Sequence, residues 1–338
     1  MVRVVVVGGG VNGVGSALAI LHRLPECDLT IITQDLTPNT TGDGAAGFWG
    51  PYLSFGTPPA KIIQWSQETW KLFSKWYKSD QPMGVSLVYG ESICRDPLPL
   101  EPWRHLPLAY RQLNYHEYTK HGPEYRSGYS FGSFTAEASK FLPVLLEEVK
   151  ALGGQVEVGR RLNSLKEAAV NADLVVNCSG LGARHLVPDP DVYPCRGQVM
   201  RVRAPWITNY LCDESEESFA YILPNTDTVV LGGTHQDNDW RLEVDPHDSE
   251  AIWRNCTAHI PSLKSAEVVK EWVGLRPCRK NGVRLEADEL LCNSRTVPVV
   301  HNYGHGGSGI SLFWGCSQEV ATITQQLIHK HYGPPSKL

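Results

Sequence analysis

Hydrophobic positions along this chain follow two rhythms, and the change from one to the other divides it. The apolar run Val4 to Val7 predicts a strand buried on both faces, and Val14, Leu18 and Leu21 then recur at helical spacing. A second strand is expected from Asp28 to Thr33, after which residues 35–54 are small and hydroxyl-rich and predict a loop. Residues 55–133 carry many Trp, Tyr and Pro with little periodicity, and no element is assigned there. Phe141, Leu145, Val149 and Leu152 share one stripe, so a helix is expected over 135–152, followed by a turn and strand in GGQVEVGRRL. The run from Asp173 into Gly180 and Gly182 predicts another buried strand returning to a parallel sheet. From Cys195 the rhythm becomes alternating, in RGQVMRVRAP, FAYILPNT and DTVVLGGT, which predicts an antiparallel sheet in a second lobe. The glycine-rich stretch 301–311 then opens a last helix reaching about His331.

The first strand and helix are joined by Gly8, Gly10 and Gly13 on a G-x-G-x-x-G spacing. Gly8 suits the tight turn, Gly10 lets the backbone approach a pyrophosphate, and Gly13 lets helix and strand pack closely. The helix N-terminus then faces the negative charge, and Gln34-Asp35 at the end of the second strand places an acid where a ribose is bonded. A dinucleotide is therefore expected, although this motif alone does not separate NAD from FAD. Thr40 and Thr41 in the following loop offer hydroxyls and backbone N–H groups to a phosphate or ring.

Composition narrows the partners. The 338 residues, 42% hydrophobic with a formal charge of −5, can bury a full core and show no basic excess, which argues against nucleic acid. No apolar run reaches membrane-spanning length. Nine cysteines between Cys27 and Cys316 lack a C-x-x-C pair, so free thiols are expected, with neither a disulfide frame nor a metal site. A strand starting at residue 2 leaves no space for a signal peptide, so the triplets at Asn39, Asn177 and Asn255 are not expected to carry sugar. Ser336, Lys337 and Leu338, after a Gly333-Pro334-Pro335 breaker, match the S-K-L address read by the peroxisomal import receptor, and a peroxisomal matrix location is expected.

Further segments carry a resemblance over essentially the whole chain: T-T-x-D-x-A-A-G at Thr40 to Gly47, V-N-C-S-G-L-G at Val176 to Gly182, R-G-Q at Arg196 to Gln198, A-P-W at Ala204 to Trp206, G-L-R-P at Gly274 to Pro277 and H-N-Y-G-H-G-G-x-G at His301 to Gly309. In these the chain resembles the FAD-dependent D-amino-acid oxidase and D-aspartate oxidase family. The resemblance implies an α/β chain with a discontinuous Rossmann-like FAD-binding domain (1–50, 135–190 and 285–338) on a parallel sheet, and a substrate domain (51–134 and 191–284) on a mixed or antiparallel sheet. It implies conversion of a D-amino acid, O2 and water to a 2-oxo acid, ammonia and hydrogen peroxide. It leaves the oligomeric state open, a homo-oligomer included.

Oxidation at Cα asks for a clamped carboxylate, a neutral amine and a Cα–H aimed at the flavin, so positioning matters more than a side-chain base. Arg276 matches the family's carboxylate-binding arginine, Tyr221 the tyrosine assisting it, and Gly307 the carbonyl offered to the amine. The implied cofactor contacts are Gly8, Gly10, Val11, Asn12, Gly13, Gln34, Asp35, Thr40, Thr41, Ala45, Ala46, Gly47, Ser179, Gly180, and Gly306 through Ser308, Gly309, Ile310 and Ser311. Departures from the family pattern are Gln34-Asp35 in place of Asp followed by a base, and Glu217 in place of a gating tyrosine. Cys212 and His235 stand where D-aspartate oxidases have arginines. A protonated His235 would attract a second carboxylate, so acidic substrates, D-aspartate first, are expected, with a neutral-substrate oxidase as the alternative. An NAD-linked dehydrogenase and a flavoprotein without catalysis are the remaining readings.

Overall fold

The computed structural model describes residues 1–333, and Ser336, Lys337 and Leu338 lie outside the described residues. Two sheets organise the chain. The first has six strands in the spatial order Arg284–Cys292, Arg295–Tyr303, Leu174–Asn177, Arg3–Val7, Asp28–Thr33 and Gln155–Val158. All neighbours are parallel except the outer hairpin formed by the first two. Such a sheet needs helices on its faces. The helices Val11–Arg23, Ala138–Ala151 and Gly309–Tyr332 bury Val14, Leu18, Phe141, Leu145, Leu312 and Phe313 in one core with Val4, Val6 and Ile31 of the strands.

The second sheet is mixed. Val192–Arg203 is its longest inner strand, paired antiparallel with Val229–Gly232 and Glu267–Arg279. Ala220–Pro224, Asn209–Asp213, Val85–Cys94, Ser127–Ala136 and Leu108–Gln112 continue it, with Asn209–Asp213 and Val85–Cys94 parallel.

Residues 55–133, left unassigned from the sequence, contain three of these strands and the helix Pro59–Tyr77. That helix buries Ile62, Trp65, Ser66, Thr69 and Phe73, a helical stripe whose hydroxyl members hide it from a hydropathy reading. The Thr69 hydroxyl accepts from Trp314 N at 3.2 Å, so its burial serves the contact with the last helix. The helix expected from residue 135 begins at Ala138, because Thr135 and Ala136 finish the strand Ser127–Ala136. The expected loop 35–54 includes the one-turn helix Thr41–Gly44.

Candidate functional site

A cavity of about 660 Å³ lies between the two sheets. Its first end is the glycine turn. Gly8, at φ +110°, adopts a conformation that disfavours a side chain, and Gly13 packs against the Gly8 carbonyl behind the cavity wall, without lining it. A Cβ at Gly10 would meet nothing within 4 Å, because that edge of the backbone faces the cavity. No side chain caps Val11–Arg23, so its first N–H groups are available to an anion. Val11 and Asn12 also line the cavity.

Gln34 and Asp35 sit exposed on its rim. Beside them the Thr33 hydroxyl accepts from Gly9 N at 2.9 Å and donates to the Asp35 carbonyl at 2.7 Å. Arg160 and Arg161, absent from the sequence-based candidates, line this end because Gln155–Val158 runs parallel to Asp28–Thr33.

Thr40 and Thr41 line the cavity, but the Thr40 hydroxyl donates to Asp43 at 2.7 Å and the Thr41 hydroxyl to the Leu275 carbonyl at 3.5 Å. Ala45, Ala46 and Gly47 follow along the wall, with the Ala45 and Ala46 carbonyls accepting from Arg201 and Asn225 of the second sheet at 3.1 and 2.9 Å. Ser179 and Gly180 lie opposite the first glycine turn.

At the second glycine turn Gly306, Gly307, Gly309 and Ile310 reach the cavity. Ser308 and Ser311 do not. The Ser308 hydroxyl accepts from Tyr52 N and donates to the Tyr52 carbonyl, both at 2.7 Å, while Ser311 Oγ accepts from Gly50 N at 3.1 Å. These two serines fasten the 50–52 segment to the turn. Between the two turns Asn12 Oδ1 and His305 Nε2 are buried without a partner, although the facing nitrogens of the same side chains are 3.3 Å apart. Burial holds the His305 pKa down at about 3, so the ring is neutral.

The second sheet forms the other wall. Tyr129, Ser92, Cys212 and Tyr221 are successive cross-strand partners, so their side chains share one face, and all four line the cavity. Arg276 projects from Glu267–Arg279 over Gly197, where a Cβ would collide with the guanidinium. Its Nη1 donates to the Thr234 carbonyl at 3.1 Å and the Arg196 carbonyl at 3.4 Å, and lies 3.7 Å from Cys195 Sγ. Among the described residues no carboxylate pairs with it, and its Nε and Nη2 have no protein acceptor. Burial opposes the Arg276 charge, but Tyr221 and Cys195 outweigh that and hold its pKa above the usual value. Burial pushes the Tyr221 phenol up, with Arg276 working against the shift.

The R-G-Q motif becomes legible here. Gly197 faces Arg276, while Arg196 and Gln198 point to the opposite side. There the buried Arg196 donates to Asp248 and Gln236, both at 2.6 Å, and to Gln198 at 2.8 Å.

His235 does not line the cavity. It stands behind Tyr52, ring centroids 6.3 Å apart, with Nε2 3.4 Å from an Asp237 oxygen. Cys195, His235 and Asp237 bring donor atoms within 4.8 Å of one another, but the adjoining Arg276 cation opposes a metal. Tyr52, Glu101 and Glu214 also line the cavity and are absent from the sequence-based candidates. Glu214 stands two residues after Cys212, just beyond the strand Asn209–Asp213, and only the observed strand shows which side it takes.

Residues 3–323 match the family described as FAD dependent oxidoreductase. The chain is 40% identical over 331 residues to the D-aspartate oxidase of Homo sapiens, covering 97% of this chain and 96% of that one. It is 39% identical to the D-amino-acid oxidase of Rubrobacter xylanophilus, over 95% of each. Among solved structures, glycine oxidase from Geobacillus kaustophilus superposes with a TM-score of 0.77 at 19% identity, over 96% of this chain and 95% of that one, a likeness of fold.

Proposed function

Because the chain belongs to the FAD-dependent oxidoreductase family of D-amino-acid and D-aspartate oxidases, with FAD as its cofactor, we propose that it oxidises D-amino acids to 2-oxo acids, passing electrons to O2 and releasing ammonia and hydrogen peroxide. The observation that carries this reading is Arg276: a half-buried cation without a protein carboxylate among the described residues, in the cavity that both glycine turns also line. A charge partly withdrawn from water and left unpaired by the protein favours an anionic ligand.

The cavity fits the cofactor. Gly10 leaves open space, the first helix offers uncapped N–H groups, and Asn12 and His305 hold unpartnered polar atoms. Gly8, Val11, Gln34, Asp35, Ser179 and the Gly306–Ile310 turn complete the set that would hold it. Bound FAD supplies the acceptor for the electron pair leaving Cα. The protein orients the substrate: Arg276 grips its carboxylate by Nε and Nη2, Tyr221 donates from beside the guanidinium, and the Gly307 carbonyl accepts from the amine. On this reading the first sheet with its helices is the cofactor lobe and the second sheet the substrate lobe.

Arg276→Leu is expected to keep FAD but to lower kcat/KM about a hundredfold or more. Near-parent efficiency would overturn the clamp. Anaerobic bleaching of the yellow protein by a D-amino acid checks the reaction directly. No helix among the described residues is long and apolar enough to cross a membrane. The S-K-L residues support a proposal of peroxisomal import, under which deleting Leu338 leaves activity intact and moves the protein to the cytosol. Import unchanged by the deletion removes that proposal.

Relatives are named for both acidic and general substrates, so the side-chain class turns on this cavity's own lining.

A further inference from the structure

The oxidase reading leaves the Glu214 carboxylate in the cavity without a task. Glu214 directly follows the strand Asn209–Asp213 and is fixed by a 2.8 Å bond from its N–H to the Ile93 carbonyl. Alternation puts it on the side of Cys212, whose cross-strand partners Tyr221 and Ser92 line the cavity. Asp213, between them, turns the other way to Tyr125, Ser215, Ser218 and His259. Glu214 is partly buried, and its remaining surface opens on the cavity.

Nothing nearby compensates its carboxylate. No donor or cation among the described residues meets it, and the charged groups that act on it, Glu101 and Asp213, have the same sign. Tyr52, Arg276 and Glu214 all line this one cavity, and the Tyr52 phenol lies within the electrostatic reach of both the cation and the carboxylate. An amino acid clamped by Arg276 through its α-carboxylate has only its side chain free to reach Glu214.

We propose that Glu214 is a specificity-determining residue that receives an amine or guanidinium at the end of the substrate side chain, making basic D-amino acids the preferred class. The proposal rests on the oxidase reading. A ligand cation satisfies a carboxylate that the protein leaves unpaired, and the same carboxylate repels the second acid of D-aspartate.

A pH signature follows. Burial, then Glu101 and Asp213, push the Glu214 carboxyl up to about 7. Its other neighbours, Tyr52, Tyr129 and Cys212, are themselves pushed upward by burial and stay neutral near that pH, while Asp213 is held ionised by its hydrogen bonds. Glu101, also raised by burial, is the one other group that titrates on the acid side. Glu214 therefore gains its charge as pH rises through neutrality, and preference for a cationic side chain rises with it.

D-arginine and D-citrulline have nearly the same shape and differ in side-chain charge, so their ratio isolates the effect. With the FAD-loaded enzyme, kcat/KM from peroxide release is measured from pH 6 to 8 for both, and for D-alanine and D-aspartate. The D-arginine to D-citrulline ratio is expected to reach about tenfold or more at pH 8, to fall toward pH 6, and to approach unity without pH dependence in Glu214→Gln. A parent ratio near unity, or a preference for D-aspartate, overturns the proposal whether or not the variant folds, and leaves the oxidase reading standing. If none of the four is oxidised and none bleaches the flavin without air, the oxidase reading falls as well. A pH slope that disappears in Glu101→Gln but persists in Glu214→Gln also overturns the assignment to Glu214.

Discussion

Arg276 is anchored through one nitrogen and free through the others, an arrangement that leaves the rest of the guanidinium open to a ligand. The anchor depends on close approach. Gly197 lies beneath the guanidinium, and any Cβ there occupies its place. Gly197→Ala is therefore expected to displace the clamp and lower kcat/KM for D-alanine on the order of ten- to a hundredfold while FAD content holds. Parent efficiency with a full complement of FAD would show that the guanidinium does not rest on Gly197. The same scale explains why His235 and Cys212 differ despite being equivalent candidates. Cys212 shares a face with Tyr221, whereas His235 follows Thr234 out of the lining and meets Asp237.

At the level of elements, the strand Val192–Arg203 serves both of its faces. Toward the cavity it gives Gly197 and Val199, and away from it Arg196 and Gln198 tie down the segment 236–249. The Arg196 guanidinium is fully buried, with Asp248 as its charged partner. Replacing one member of such a pair strands the other. Arg196→Leu is expected to cost about 3–5 kcal/mol of stability, read by denaturant unfolding of the FAD-loaded protein. A loss below about 1 kcal/mol would mean that the network is dispensable. The helix Pro59–Tyr77 gives a second example: its buried Thr69 is explained by the last helix it packs against, where it meets Trp314, 245 residues away in sequence.

For the whole molecule, acid sensitivity follows from two buried histidines. Burial, helped by Arg284, holds the His301 pKa at about 4, and burial alone holds His305 at about 3. Both values are below the unfolded value of about 6.5, so each histidine's contribution is fully present above pH 6.5 and is lost as pH falls toward the folded pKa. Glu214, raised toward neutrality, acts in the opposite direction over part of this range. The difference between parent and His301→Gln isolates one histidine. Parent stability relative to that variant is expected to drop on the order of 3 kcal/mol between pH 6.5 and 4. A difference that does not change with pH would mean that His301 is protonated in the folded protein.

The elements whose signal is local are legible in the chain alone. The glycine spacing after Val7, the apolar runs of Asp28–Thr33 and Leu174–Asn177, and the glycine turn before the last helix each announce an element and its task within a dozen residues. Motif resemblance extended this to Arg276, Tyr221 and Gly307, which the fold brings to one cavity. The rest depends on long-range packing. The strands between 85 and 136 draw their stability from partners elsewhere in a mixed sheet, so neither hydropathy nor turn chemistry marks them. Thr40, Ser308 and Ser311 have residue types suited to a cofactor, yet their hydroxyls are committed to Asp43, Tyr52 and Gly50. Glu214 reads in the chain as one acid in a polar loop, and becomes a wall of the cavity through strand alternation and the pairing of Cys212 with Tyr221. A periodicity records which face a side chain takes; what lies across that face is fixed by the packing of strands and helices that are distant in sequence.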